Sequence, residues 1–204
     1  MPYIISIILG YLFGCSSMAY YIGKIKKVKL KEVGSKNYGA SNTVAMVGFK
    51  AGLLVFIHDV LKSFLAVIVV NSIFPETPYV GAIAGISAVL GHIFPFYLKF
   101  DGGKGFASYM GALLAINPIF ALCIMGIALA VALLVDYVIV GTFIIICVAP
   151  IYFLLIQQNI VLGLIFLLAS AIIAYKHKEN IYNFTHKTGK EMRIRAALQK
   201  KYKK

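Results

Sequence analysis

Acidic residues are scarce in this sequence: only seven Asp and Glu occur among 204 residues, and all charged residues together make up 13%. The acids and the four His are scattered, whereas a divalent-metal phosphotransferase needs several carboxylates close together. The sequence also lacks a Gly-x-Ser-x-Gly motif, which argues against a hydrolase built on a nucleophile elbow. We therefore expect neither a metal site nor a cofactor.

Cysteine is also rare. Cys15, Cys123 and Cys147 lie inside apolar runs, far apart and without the spacing of metal ligands. This pattern favours their interpretation as small, buried hydrophobic residues.

Apolar residues dominate instead, at 61% of the chain and a mean hydropathy of +0.88. A soluble domain of this length could not bury so much apolar surface in one core. The composition therefore predicts an all-α integral membrane protein.

The net charge of +13 comes from 20 Lys and Arg. They are not interleaved with aromatic residues as nucleic-acid binding requires, so no nucleic-acid partner is expected. Most fall in three segments, at residues 24–42, at 99–104 and after Tyr175. The positive-inside rule predicts that all three face the cytoplasm. The tail, at about residues 176–204, is basic enough to lie on anionic membrane lipid.

Seven apolar segments are candidate spans: Tyr3–Gly23, Lys50–Ser72, Tyr79–Leu98, Gly105–Ile116, Pro118–Leu134, Tyr137–Ile156 and Ile160–Tyr175. A span needs about 20 residues, so the fourth and fifth are short. We place a break at Asn117-Pro118, because one continuous helix there would put the basic tail opposite the basic first loop. The prediction is a single domain, 1–204, of about seven transmembrane helices, with the N-terminus outside and the C-terminus cytoplasmic.

A polar stretch from Gly91 to Ser108 interrupts the apolar segments. It includes His92 and, at the start of the short fourth span, Gly102, Gly103 and Lys104. Backbone N–H groups, the positive end of a helix and an ammonium would converge there, which is the outline of an anion site. A flexible glycine turn with a snorkelling lysine would produce a similar sequence.

The loop from Gly34 to Asn42 is rich in small and polar residues. Gly34 and Gly39 would let the backbone approach a ligand closely. Hydroxyl and amide donors to an oxyanion would come from Ser35, Asn37, Ser41 and Asn42. A plain hinge loop has a similar composition.

Other polar groups occur at single positions in the apolar segments. Asp59 and Lys62 are three residues apart on one helical face, which favours a structural ion pair. Thr142 lies near the start of the sixth span, where a hydroxyl normally bonds its own helix backbone. In a continuous helix, His177 and Asn180 would share a face pointing toward the bilayer surface.

The runs GSKNYGASN, GHIFPFYLKFDGGKGFAS and KHKEN together resemble the three cytoplasmic motifs of the bacterial acyl-phosphate:glycerol-3-phosphate acyltransferases, the PlsY type. The similarity spans nearly the whole chain. It implies transfer of a fatty acyl group from acyl phosphate to glycerol 3-phosphate, giving lysophosphatidate and phosphate in phospholipid synthesis. It also implies a multi-pass protein of the bacterial inner (plasma) membrane with a cytoplasmic active site, supplied by an upstream enzyme that forms acyl phosphate.

By matched position, the resemblance also implies the site residues. The catalytic set is Ser35, Lys104, His177 and Asn180. The substrate- and phosphate-binding set is Gly34, Asn37, Gly39, Asn42, His92, Gly102, Gly103 and Thr142. The general base is either His177 or a phosphate oxygen of the donor.

Several positions depart from the family pattern: Ser17 stands where Pro is common, and Lys176, Lys178 and Asn183 replace Arg residues of the tail motif. Ala45 stands where Arg is usual, and Asp101 stands where Lys often precedes the glycine pair. A related transferase with a changed phosphorylated acceptor is therefore one alternative. A small-solute transporter or a non-catalytic membrane paralogue is another, because short spans with glycine breaks also occur in transporters.

Overall fold

The computed structural model describes residues 1–188 and Arg193, and its regular structure is helical. The α-helices, α1 to α10, are Pro2–Cys15, Met18–Ile25, Ala40–Met46, Phe49–Ile73, Val80–Ile93, Phe106–Ile116, Pro118–Val135, Val138–Ile151, Ile160–Lys176 and Lys178–Thr185. A 3-10 turn, Phe96–Leu98, follows α5, and a π-helical turn, Tyr152–Ile156, continues α8. The predicted all-α class is confirmed.

All seven predicted spans are helical. Within the described residues, five helical segments are long and apolar enough to cross a membrane, with α1 and α2 counted together. The pair α9 and α10, bent by 60°, gives a sixth, and α6 is a shorter apolar helix. The count of seven and the orientation of the termini stay predictions, and most of the basic tail lies outside the described residues.

The side-chain distribution is that of a membrane protein, with large apolar side chains on the outside and several polar side chains buried. Large apolar side chains such as Leu61 and Leu129 are exposed on the outer faces, whereas Ser6, Asp59 and Lys62 are buried. Polar groups inside a membrane protein must find partners within the protein, because hydrocarbon offers none. Burial of polar groups therefore controls how these helices pack.

The chain forms two compact units, residues 1–118 and the residues from Ile119 onward. In the first unit α1 packs closely on α5. A Cβ atom added to Gly10 or Gly14 would overlap the backbone of Ala84 or Ala88. Small residues spaced by four let two membrane helices approach until their backbones touch.

The first predicted span is broken at Ser16 and Ser17. The break exposes backbone carbonyls, and side chains from other segments satisfy them: Tyr97 Oη donates to the Cys15 carbonyl at 2.8 Å, and Lys62 Nζ donates to the Ser16 carbonyl at 2.8 Å. Ser17 caps α2 by accepting the Tyr20 N–H. The break is thus fixed by hydrogen bonds, which satisfy these carbonyls without water.

The predicted break before Pro118 is present. Helix α6 ends at Ile116, and Asn117 leaves the helical region with φ −143° and ψ 86°. Proline explains this, since it disfavours helical geometry in the residue before it and is well suited to the first position of a new helix.

The second unit contains α7 to α10. Its interior includes the rings of Phe153 and Phe166, which stack with centroids 4.9 Å apart. The expectation of three buried cysteines is wrong for two of them: Cys15 is buried, but Cys123 and Cys147 are exposed. Helix faces that contact lipid accept apolar residues, so an apolar run does not imply burial.

The membrane orientation can be tested by cysteine labelling. In a chain with Cys123 and Cys147 changed to Ser, we expect a membrane-impermeant maleimide applied to whole cells to label Glu76→Cys and not Lys187→Cys. Both positions are exposed on the molecule, so permeabilised cells, in which both must label, are the control. Labelling of Lys187→Cys in intact cells would show that the predicted orientation is wrong.

Candidate functional site

The loop from Gly34 to Asn42 is organised by the Asn42 side chain, which is 2% exposed. Its Oδ1 accepts the Ser35 N–H at 2.9 Å, and its Nδ2 donates to the carbonyls of Leu30 and Asn37, each at 2.9 Å. Both amide hydrogens are therefore used inside the loop. The sequence predicts a substrate donor at Asn42, whereas in the structure its side chain is used to hold the loop.

Ser35 and Asn37 are held next to each other by this framework. Asn37 Nδ2 donates to Ser35 Oγ at 2.9 Å and to the Ser35 carbonyl at 2.8 Å. Ser35 is exposed and Asn37 half-buried. Gly34 has φ +59°, and a Cβ there would overlap Asn42 Oδ1, which explains the requirement for glycine. Gly39 begins α3 as its N-cap.

The glycine turn, defined as residues 101–105, connects α5 to α6. Its geometry corrects part of the prediction: the Gly102 N–H donates to the Ile93 carbonyl at 2.9 Å, and the Gly103 N–H to the His92 carbonyl at 3.1 Å. These two amides cap α5 and are not bare donors for an anion. The glycines are needed for close packing, since a Cβ at Gly103 would overlap the His92 ring.

Lys104 lies between this turn and the start of α6. It is half-buried, and Gly105, with φ +90°, is the N-cap of the helix that begins at Phe106. The first amides of an α-helix have no acceptor within the helix and carry partial positive charge. An ammonium and a helix N-terminus therefore lie within two residues of each other, as the sequence predicts.

Two contacts join the glycine turn to the first loop, and a third joins that loop to α2. The Tyr38 N–H donates to the Gly102 carbonyl at 3.4 Å, and Lys31 forms an ion pair with Asp101. The Tyr38 ring meets the Tyr20 ring edge-on, with centroids 5.8 Å apart. Burial raises the pKa of the Tyr38 hydroxyl above its ordinary value, so the phenol stays protonated at neutral pH. The Ser35–Asn37 pair and the turn before Lys104 thus belong to one framework.

A buried ionic cluster lies beneath the glycine turn. Asp59 Oδ1 is 2.9 Å from Lys62 Nζ, which confirms the predicted ion pair, and 3.3 Å from His92 Nδ1. Lys62 Nζ is also 2.8 Å from His92 Nδ1. His92 is 6% exposed. Its prediction as a substrate contact missed this environment, in which the ring is part of the support of the turn.

The other predicted site residues belong to the second unit. Thr142 is buried, and its hydroxyl donates to the Val138 carbonyl at 3.4 Å, as expected for a helix threonine. His177 lies at the 60° bend between α9 and α10, so His177 and Asn180 do not share one straight helix. Asn180 is in the first turn of α10.

The ring of His177 has a defined tautomer. Its Nδ1 lies 2.8 Å from the Ile173 carbonyl. A carbonyl only accepts, so in the neutral ring the hydrogen is on Nδ1 and the lone pair is on Nε2. In the neutral ring, Nε2 is therefore the nitrogen that carries the lone pair of a base.

Sequence reasoning missed several residues that build this site. Ser16, Lys31 and Tyr38 were not singled out, yet each makes a contact that fixes a loop or a helix end. The adjacent Ser16 and Ser17 inside an apolar run were an available signal of a broken helix. Lys31 and Asp101 are far apart in sequence, and nothing local pairs them.

Comparisons with known proteins agree on one family. A family model described as glycerol-3-phosphate acyltransferase matches residues 4–187. The chain is 31% identical over 201 residues to the glycerol-3-phosphate acyltransferase of Pseudothermotoga lettingae, covering 98% of this chain and all of the relative. It is 32% identical over 188 residues to the enzyme of the same name from Aquifex aeolicus, covering 92% and 97%.

A solved structure is also similar. The crystal structure of PlsY, an integral membrane glycerol 3-phosphate acyltransferase, in its glycerol 3-phosphate form, aligns with a TM-score of 0.86 and 32% identity over 94% of each chain. Its lysophosphatidic acid form aligns with a TM-score of 0.82 and 31% identity, covering 93% of this chain and 94% of that one.

The role of Asn42 can be tested by limited proteolysis. Asn42→Ala removes three hydrogen bonds of the loop, so we expect trypsin to cleave after Lys36 faster than in the unvaried protein. Ser41→Ala is the matched control, because Ser41 is the exposed neighbour of Asn42 and its side chain makes none of these three hydrogen bonds. Equal cleavage rates for the two variants would contradict the positioning role.

Proposed function

Because the chain belongs to the glycerol-3-phosphate acyltransferase family, we propose that it transfers a fatty acyl group from acyl phosphate to glycerol 3-phosphate. A hydroxyl oxygen of glycerol 3-phosphate attacks the acyl carbonyl carbon, and the bond from that carbon to the phosphate oxygen breaks. The products are lysophosphatidate and inorganic phosphate. The hydroxyl proton passes to the base.

The observation that carries this proposal is the joining of two donor sets in one framework. The Ser35–Asn37 pair belongs to the first loop, Lys104 follows the glycine turn, and the bond from Tyr38 to Gly102 connects the two. Acyl phosphate is an activated mixed anhydride, so a catalyst needs mainly to hold two phosphates, orient the hydroxyl and stabilise charge on the carbonyl oxygen. Hydroxyl, amide and ammonium donors suffice for those tasks.

We propose His177 as the base. The contact of Nδ1 with the Ile173 carbonyl leaves the lone pair on Nε2, which is the atom that would receive the proton of the attacking hydroxyl. A phosphate oxygen of the donor is the other candidate. If His177 is the base, the rate falls as the imidazole becomes protonated. If a phosphate oxygen of the donor is the base, the rate falls as that phosphate becomes protonated.

An apolar groove in the second unit supports a fatty acyl donor. It has a volume of about 520 Å³ and lies between α8 and α10; its lining residues are Ile139, Val140, Phe143, Ile144, Cys147, Ile181, Phe184 and Thr185. The same two helices carry Thr142 and Asn180. We assign this groove to the acyl chain.

The proposed location is the bacterial inner membrane, with the site on the cytoplasmic face. The basic loops that support this orientation also face anionic lipid, which attracts each Lys or Arg by about 1 kcal/mol near the surface. An upstream enzyme that forms acyl phosphate would supply the donor, because the chain itself needs that activated substrate.

The proposed reaction can be tested with purified protein in lipid nanodiscs. We expect equal amounts of lysophosphatidate and inorganic phosphate from acyl phosphate plus glycerol 3-phosphate, and no product when acyl coenzyme A replaces acyl phosphate. Ala45, which is exposed on α3, stands where the family pattern has Arg. Product formed only with a different phosphorylated acceptor would favour the alternative of a changed acceptor.

Lys104 is the residue whose removal tests the anion site most simply. Lys104→Met should fold normally but lose about 10²-fold or more in turnover, as when one preorganised oxyanion donor is deleted. Lys104→Arg should recover only part of the rate, because a planar guanidinium does not replace a compact ammonium in a tight turn. Steady-state kinetics on folded variants provides the measurement, and near-normal turnover of Lys104→Met would refute the site.

The acyl groove gives a separate prediction. Ile144→Trp should narrow the groove and lower kcat/KM more for a long-chain acyl phosphate than for a short-chain one. Leu129→Trp, at an exposed position on α7 outside the groove, is the control for adding an indole to the membrane face. An equal loss with both chain lengths would place the acyl chain elsewhere.

A further inference from the structure

We infer that His92 is a positioning residue that sets the glycine turn, and through it Lys104, from a buried ionic anchor. This inference rests on the proposed function, since it assigns a role to His92 in holding a phosphorylated substrate. His92 is not placed in contact with substrate. It acts through the turn above it.

The anchor holds one edge of the His92 ring. Nδ1 lies 2.8 Å from Lys62 Nζ, and Lys62 Nζ lies 2.9 Å from Asp59 Oδ1 and 2.8 Å from the Ser16 carbonyl oxygen. The side chains of Asp59, Lys62 and His92 are 3%, 4% and 5% exposed. The Lys62 ammonium has three N–H donors, and each of them meets one of these three acceptors. Lys62 is therefore fixed, and the ring edge that contacts it is fixed with it.

His92 Nδ1 contacts two groups of the anchor, Lys62 Nζ at 2.8 Å and Asp59 Oδ1 at 3.3 Å. The shorter contact is with an ammonium, which has no lone pair, so the neutral ring accepts at Nδ1 and carries its hydrogen on Nε2. The opposite edge of the ring, with Nε2 and Cε1, lies directly against Gly103, because a Cβ on Gly103 would overlap both atoms. The imidazole thus fills the space between the ionic anchor and the backbone of the turn.

The His92 backbone makes a second connection to the same residue. Its carbonyl accepts the Gly103 N–H at 3.1 Å, so Gly103 is held by both the ring and the backbone of His92. Lys104 is the next residue. A shift of the ring would move Gly103 and the ammonium that follows it, and displacements of about 1 Å at a reacting group can cost 10²-fold in rate.

The broken first helix explains Lys62 and its partner Asp59, because Lys62 satisfies the Ser16 carbonyl. It does not explain His92, since a merely structural support could use an apolar side chain of similar volume at that position. A ring fixed by directional hydrogen bonds instead specifies where the turn lies. This is the reason to assign His92 a role in positioning.

The test compares His92→Asn with His58→Asn. In the first variant the shorter amide side chain can still accept from Lys62 through its Oδ1 and keep the ionic anchor, but it cannot fill the space beneath Gly103. His58 also approaches the Asp59 carboxylate, at 3.5 Å, and does not belong to the turn, which makes His58→Asn the matched control. We expect His92→Asn to weaken glycerol 3-phosphate binding and to lower kcat/KM by about 10-fold or more, and His58→Asn to leave both nearly unchanged.

A double-mutant cycle with Gly103→Ala separates positioning from general stability. If His92 acts through Gly103, the double variant should lose little more than the more severe single variant, because the two changes disrupt one contact. The inference would be overturned if the fold losses in kcat/KM of the two single variants multiplied in the double variant. Normal kinetics in folded His92→Asn would also overturn it. Thermal unfolding of each variant identifies any that fail to fold.

Measurements of phosphate binding test this inference independently of the proposed reaction. If the unvaried protein made no lysophosphatidate, the proposed function would fail, but titration with glycerol 3-phosphate and with inorganic phosphate would still compare the His92 and His58 variants. Equal affinities in the two variants, or no phosphate binding by the unvaried protein, would overturn the role of His92.

Discussion

The buried pair of Asp59 and Lys62 is the interaction on which the rest of the first unit depends. Lys62 donates to the Ser16 carbonyl and so satisfies a broken helix, and it contacts His92, which lies beneath the glycine turn. A bilayer core provides no water to replace either bond. One ammonium therefore joins three segments that are distant in sequence: the first span, α4 and the end of α5.

The candidate site follows from this buried arrangement. The glycine turn caps α5 with two of its amides, and its carbonyl at Gly102 accepts a bond from the first loop. Asn42 uses its whole amide to hold that loop together. Because these groups satisfy one another, the exposed Ser35 and the half-buried Asn37 and Lys104 are presented on a rigid backbone. Rigid support is what electrostatic catalysis of acyl transfer requires.

Much of the fold could be predicted from the sequence, because its rules are local. Apolar runs of sufficient length become helices, Pro118 starts a helix, and two opposite charges three residues apart pair on one face. The roles of Asn42, His92, Gly102 and Gly103 could not be predicted in the same way. Each depends on a partner brought close by folding, and a polar side chain near a ligand site looks the same in sequence whether it binds the ligand or supports the loop.

We attribute the position of the proposed phosphate site to directed hydrogen bonds from Lys62 and not to charge balance alone. Exchanging the pair, Asp59→Lys with Lys62→Asp, keeps the net charge but removes the donor to Ser16 and His92. The direct measurement is the affinity for glycerol 3-phosphate, by titration calorimetry on the folded protein in nanodiscs. We expect the exchanged protein to lose most of this affinity; unchanged affinity with unchanged thermal stability would show that the bonds from Lys62 do not hold the site.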